Sequence, residues 1–234
     1  MADGGTITQR ITDLIGSEHT TNAAYSGDLI NAAVNEIADM MPNDLLLKYS
    51  PVPTSVTSAT GVSVEGKKVL RVTRVDADSS GIERNCTRLD RVEYSTARDS
   101  ASIYYATTHS PVYRLDSMNA ATTVAIFPDC NGSGQVGNIW YFPYIADGTD
   151  TTGMTASNLN TSYYLPGTLI HAIALKSSIN MLNAYLSNQI QDEEDMEIVQ
   201  LLTTQKTILE KDFMAEIQRY MVGAMAKQEK PEAE

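Results

Sequence analysis

The chain has 234 residues, 42% of them hydrophobic, a formal net charge of -12 and only two cysteines. That is enough apolar material to bury a core, which excludes disorder for most of the chain, and Cys86 and Cys130, without a Cys-x-x-Cys or Cys/His grouping, exclude a disulfide framework or zinc site and read as buried free thiols. The acidity argues against a protein whose main work is gripping nucleic acid, since duplex binding rests on neutralising phosphates with Lys and Arg.

Ile7, Ile11, Leu14 and Ile15 recur at helical spacing before Gly16, a C-terminal cap. A second helix is expected with Ser26 as its N-cap, Leu29, Ile30, Val34, Ile37 and Met41 on one face, and Pro42 at its end. From about Asp44 to Ala146 short runs rich in Val, Ile, Thr and Tyr alternate with turn residues, the texture of a mostly antiparallel sheet folded as a small sandwich or barrel. The expected strands are Leu45 to Tyr49, Val62 to Val64, Val69 to Val75, Arg84 to Tyr94, Ser102 to Thr107, Val112 to Leu115, Thr123 to Phe127 and Ile139 to Ile145. In the last of these, Trp140 and Phe142 share one face and Tyr141 and Pro143 the other.

Residues Asp147 to Ser162 are small and polar and read as a connecting loop. After Leu165-Pro166-Gly167 a helix apolar over much of its circumference (Leu169, Ile170, Ile173, Ala174, Ile179, Leu182, Leu186) should sit centrally. The acidic run Gln191 to Asp195 suits the positive end of a last helix. That helix, from about Asp192 to Met225, would be roughly 50 Å long at 1.5 Å per residue, longer than a domain of this size is wide. Met196, Val199, Leu202, Leu209, Phe213 and Tyr220 form a coiled-coil-like seam broken by Lys206, and Ile198, Leu201, Ile208 and Ile217 give a second apolar flank. Either the seam meets another chain or it packs on the preceding helix.

Charge is unevenly placed. Eight of the 17 basic residues fall between Glu65 and Arg98, against six acids, whereas Asp192 to Glu234 holds eleven acids and five bases. Arg71, Arg74, Arg88 and Arg91 are therefore candidates to receive a neighbour's acidic end.

The motifs that could carry chemistry lack their context. Gly132-Ser133-Gly134-Gln135-Val136-Gly137 has dinucleotide-site spacing, but a strand-like Ile139-Trp140-Tyr141-Phe142 follows where a helix must hold the pyrophosphate, so a hairpin loop is expected. His19, His109 and His171 are scattered, with no ligand pairing. No Gly-x-Ser-x-Gly turn occurs. Asp147-Gly148-Thr149-Asp150 lacks the closing glutamate of a calcium loop, Asn158 standing there instead. No catalytic, metal or cofactor-binding residue is expected, and no cofactor.

The order helix, strands, helix, long helix, with Asp28-Leu29-Ile30-Asn31-Ala32-Ala33-Val34-Asn35-Glu36-Ile37 in the early helix, resembles the neck proteins of tailed bacteriophages, the head-tail connectors or adaptors. The runs Arg91-Val92-Glu93-Tyr94, Ser102 to Thr107, Ser110-Pro111-Val112-Tyr113 and Thr123 to Pro128 look like the strands of such proteins, and Leu169 to Lys176 fits their helix after the sheet. The resemblance covers about residues 20 to 220. It implies a homo-oligomeric ring, commonly of twelve subunits, set between the portal protein and the tail or nozzle proteins of the virion. DNA would pass through without specific binding, and an acidic wall would prevent sticking. The large strand region departs from the smaller all-helical adaptors, so a tail-tube or terminator protein is an alternative reading. Another is a receptor- or carbohydrate-binding virion protein using Tyr141, Tyr144 and the loop Asp147 to Ser162.

The expected fold class is α+β: a bundle of N- and C-terminal helices (residues 1–43 and 151–234) with a mostly antiparallel β-sandwich or barrel-like insertion (44–150). The expected function is structural and non-enzymatic, in the virion neck. No run reaches the roughly 20 apolar residues of a membrane helix, and Met1 to Gly5 lacks the regions of a signal peptide, so synthesis in the host cytoplasm without membrane contact is expected. The candidate interface residues are Val199, Leu202, Leu209, Phe213, Ile217, Tyr220, Arg71, Arg74, Arg88 and Arg91.

Overall fold

The computed structural model describes residues 5–17, 23–76, 81–118, 121–131, 134–189 and 196–228. The fold is α+β, and the chain divides into two compact units, one of residues 1–45 with 145–234 and one of residues 46–144.

The first unit is helical. Its α1 (Ile7–Ile15) buries Ile7, Ile11 and Ile15, begins at Thr6, whose side chain accepts from Gln9 N–H, and ends at Gly16, whose φ of 85° suits glycine. The free N–H of Ile7 donates to the Met154 carbonyl at 2.7 Å. Helix α2 (Ala23–Met40) starts three residues before the expected cap Ser26, so Ser26 lies inside it. It buries Ile30, Ala33, Val34, Ile37 and Ala38, with Met41 just beyond its end.

Polar residues of α2 hold the chain where it returns from the sheets. Asn31, fully buried, donates to the carbonyls of Ala146 (3.2 Å) and Thr149 (3.0 Å) and accepts from the Thr151 hydroxyl at 2.7 Å. Asp28 accepts from Gly148 N–H at 2.7 Å.

The expected loop Asp147 to Ser162 contains a short helix, α5 (Ala156–Ser162). Thr155 and Asn158 cap it reciprocally, with Asn158 N–H on the Thr155 hydroxyl and Thr155 N–H on Asn158 Oδ1, while Met154 and Leu159 are fully buried. Helix α6 (Ile170–Gln189) buries residues around most of its circumference, including Ile170, Ile173, Ala174, Ile179 and Leu182, because it touches α1, α2 and α7 (Met196–Gln228). It is the centre of this unit, as its all-round apolarity predicts.

The second unit holds two four-stranded sheets. One has the order β1 (Thr54–Val56), β8 (Gly137–Pro143), β3 (Lys67–Asp76), β4 (Ile82–Asn85), all antiparallel. The other runs β2 (Val62–Ser63), β7 (Ala121–Phe127), β6 (Val112–Met118), β5 (Thr87–Arg88), with β5 parallel to β6. Val56, Val72 and Ile139 of the first sheet form one buried cluster with Val124 and Ile126 of the second, and neither sheet closes on itself. Gly137 belongs to the glycine-rich pattern because of packing: a Cβ there would collide with Ile126 and press on Val56 and Cys130 Sγ. It opens a strand that pairs in a different sheet from β7, so the expected hairpin does not form; Gly132 and Ser133 lie outside the described residues.

Two expected strands are not strands, and a third is strand only in its first half. Leu45 to Tyr49 falls largely on the short helix α3 (Asn43–Leu47). The run Arg84 to Tyr94 divides into the end of β4, the two residues of β5 and then α4 (Arg91–Arg98). The cause is a capping box: Asp90 accepts from Glu93 N–H at 2.8 Å while Glu93 returns a carboxylate to Asp90 N–H. Ser102 to Thr107 is a chain of turns rather than a strand. Two of the runs that carried the phage resemblance are thus helix and turn, whereas Val112-Tyr113 and Thr123 to Phe127 lie on β6 and β7.

Candidate subunit interface

Helix α7 has 33 residues and is therefore roughly 50 Å long. Leu202, Leu209, Phe213 and Ile217 are all at least nine-tenths buried, and the helix packs on α6. The seam expected to serve as an interface is therefore core of this chain, Ile217 included, with Val199 and Tyr220 half-buried at its two ends. Lys206, which interrupts the seam, reaches Glu210 at 3.6 Å. Gln205 donates to the Leu14 carbonyl at 2.8 Å, satisfying an acceptor in the last turn of α1. The acidic start Asp192 to Asp195 lies outside the described residues.

The outward side of α7 carries a row of apolar side chains among polar ones. Leu201 (68% exposed), Ile208 (54%) and Val222 (68%) recur at multiples of seven, with Ala215 between the last two. Such a row drifts by only about 20° per heptad, and it lies roughly 140° around the helix from the buried face. Thr204, between Leu201 and Ile208, gives its hydroxyl to the Gln200 carbonyl at 2.9 Å, and Thr203 and Thr207 do the same one turn back at 2.7 and 2.9 Å. Their donors are used within the helix, which makes that side less polar than its residue names suggest.

A second exposed apolar feature lies on the sheet unit. Between α4, β5 and the turns after α4 runs a cleft of about 590 Å³ with Leu89, Val92, Ala97, Ile103, Tyr104 and Tyr105 in its walls. Val92 (75%), Ile103 (91%) and Tyr104 (72%) are exposed at its edge. The turns are fixed: Ala106 N–H donates to the Ala97 carbonyl, Ala101 N–H to Asp99 Oδ1, and Tyr105 N–H to the Ser102 carbonyl. Tyr105 meets Phe127 edge-on at 5.8 Å, and Arg98 lies over that ring while reaching Asp129 at 3.9 Å. The one charged side chain in the cleft wall is Glu93.

The basic candidates separate by strand geometry. Side chains alternate along β3, so Arg74 shares the inner side with Val72 and is 1% exposed, whereas Arg71 points out and donates to Asn85 Oδ1 at 2.6 Å. Arg74 is thus core and not interface. Its Nε donates to the Pro128 carbonyl at 3.0 Å, it hydrogen-bonds Cys130, and its Nη1 finds no acceptor among the described residues. Arg88 and Arg91 are exposed and make no ion pair among the described residues.

Both cysteines are free, Cys130 buried and Cys86 half-buried. Burial first, and the neighbouring Cys130 second, push the Cys86 thiol up to about 12 against the opposing pull of Arg74. Trp140 is half-buried and Phe142 fully buried; the register sets Tyr141 opposite Val69 and Ile139 opposite Val72 on the inner side, so Trp140 and Phe142 share the other face, and the irregularity between Val69 and Arg71 is on β3. Tyr141 lies under the Lys67 ammonium at 4.3 Å.

A scan of protein-family models and a search of curated proteins gave no match to the chain. Among the described residues no helix is long and apolar enough to cross a membrane, and no group of three His, Cys, Asp or Glu is placed to hold a metal ion. His109 and His171 are both exposed. Asp150 accepts from the Thr152 hydroxyl and N–H, two bonds that lower its pKa and close a tight turn.

Proposed function

We propose that this chain is a structural protein of a tailed-bacteriophage particle that assembles as a ring in the neck, joining the capsid portal to the tail and letting DNA pass. The observation that carries the reading is α7, a helix with one apolar face buried on its own chain and another, Leu201–Ile208–Val222, left facing outward. Large apolar side chains aligned along the exposed side of a helix already anchored by its other face suit a contact between chains.

The neck location and a copy number near twelve come from the sequence resemblance, whose helical part falls on α2 and α6. The net charge of -12 suits a ring that DNA traverses without being held. In this reading the chain works through contacts with copies of itself, the portal and the tail, and needs no cofactor and no catalytic step. Gold-labelled antibody against the chain should mark the head-tail junction of purified particles. Label on fibres or on the capsid shell, or particles without the chain, would overturn it.

A further inference from the structure

The row on α7 is a ridge and the cleft beside α4 is a hollow; both are apolar and exposed, and they lie on different units of one chain. We propose that the ridge of one copy seats in the cleft of a second copy, Ile208 and its row neighbours packing on Val92, Ile103 and Tyr104. This rests on the reading of the protein as an assembling subunit and names the surfaces it uses.

Charge favours this occupant. The cleft wall carries the carboxylate of Glu93, hydrogen-bonded to the Asp90 N–H. Beside the ridge stand Lys211 and Arg219, and with them Asp212, a counterpart for Arg91 next to Val92; all four are exposed and without an ion pair among the described residues. Seating Ile208 to Val222 brings Lys211 and Arg219 toward Glu93 and Asp212 toward Arg91. The row supplies the i and i+7 positions of the i, i+3, i+4, i+7 pattern by which a helix anchors in a groove, with Thr204 at i+3 after Leu201. The symmetry also follows, because two different surfaces of one chain give a head-to-tail contact, which closes into a ring or continues as a filament. Ridge meeting ridge would instead stop at a pair.

The test separates these cases. Ile208→Asp spoils the ridge and Val92→Asp spoils the cleft; both positions are exposed, and unchanged circular dichroism and melting temperature show that the variants fold. Wild-type protein should associate in sedimentation equilibrium, each variant alone should sediment as one chain, and an equimolar mixture should form a two-chain complex, since it holds one intact ridge and one intact cleft. Association of Val92→Asp like wild type, a mixture that stays at one chain, or a wild type that does not associate would each overturn the contact. A wild-type ring that persists in both variants removes this contact while leaving the neck reading intact. Chains that form no ring and do not occur in particles remove both.

Discussion

Asn35 and Ile145 exchange two hydrogen bonds: the side-chain Nδ2 donates to the Ile145 carbonyl at 2.9 Å, and the Ile145 N–H donates to Asn35 Oδ1 at 2.9 Å. The amide of α2 thus does for the returning chain what a strand partner would do. Both residues are half-buried, so each bond lost on removing the side chain falls at the low end of the roughly 1–3 kcal/mol of a fully buried unsatisfied group. Asn35→Ala should lower unfolding stability by about 2 kcal/mol in urea, and Asn31→Ala by more, because Asn31 is fully buried with three bonds. Equal stability of wild type and Asn35→Ala would contradict this role.

The two sides of α7 should respond differently to truncation. Phe213→Ala empties a site in the α6–α7 packing and should cost about 3–5 kcal/mol, read as a lower urea midpoint. Ile208→Ala, on the outward row, should leave single-chain stability within about 0.5 kcal/mol and weaken association instead.

Arg74 should be dispensable for assembly. It is buried, with its Nε on the Pro128 carbonyl and its Nη1 without an acceptor among the described residues, so it presents no surface to a neighbour. Arg74→Met leaves the Pro128 carbonyl without its donor and is expected to lower stability by about 1–3 kcal/mol, with association unchanged. A loss of assembly with an intact fold would return Arg74 to the interface.

Alkaline pH should weaken the sheet unit through Cys86. A thiol that ionises near its ordinary value of 9.0 when unfolded and at about 12 when folded holds its proton longer in the folded chain. Its contribution is complete below pH 9 and declines as pH rises toward 12. Cys86→Ala should flatten that decline in urea titrations between these limits; an identical decline would assign it to other groups.

The sequence made the helical unit legible where periodicity was strong. Ile30, Val34 and Ile37 lie on the buried face of α2, and the all-round apolar α6 is central. It was less legible where a local cap outweighs strand-like composition. Asp90-x-x-Glu93 and Thr155-x-x-Asn158 are short signals that start α4 and α5 within segments otherwise rich in strand or turn residues. The interface residues were harder still. Leu202 and Leu201 are adjacent, yet one is core and the other outward, and which side of a two-faced helix its own chain covers depends on where α6 lies. Arg74 was grouped with Arg71 by charge although period-two alternation puts them on opposite sides of β3. The cleft left little sequence signal, since Ile103, Tyr104 and Tyr105 form no periodic pattern and are exposed by a series of turns.

The central claim, a ring-forming assembly protein, is tested most directly by negative-stain electron microscopy of the purified wild-type chain. The account predicts closed rings with a central hole wide enough for duplex DNA, and a field of single particles without a hole at every protein concentration would contradict it.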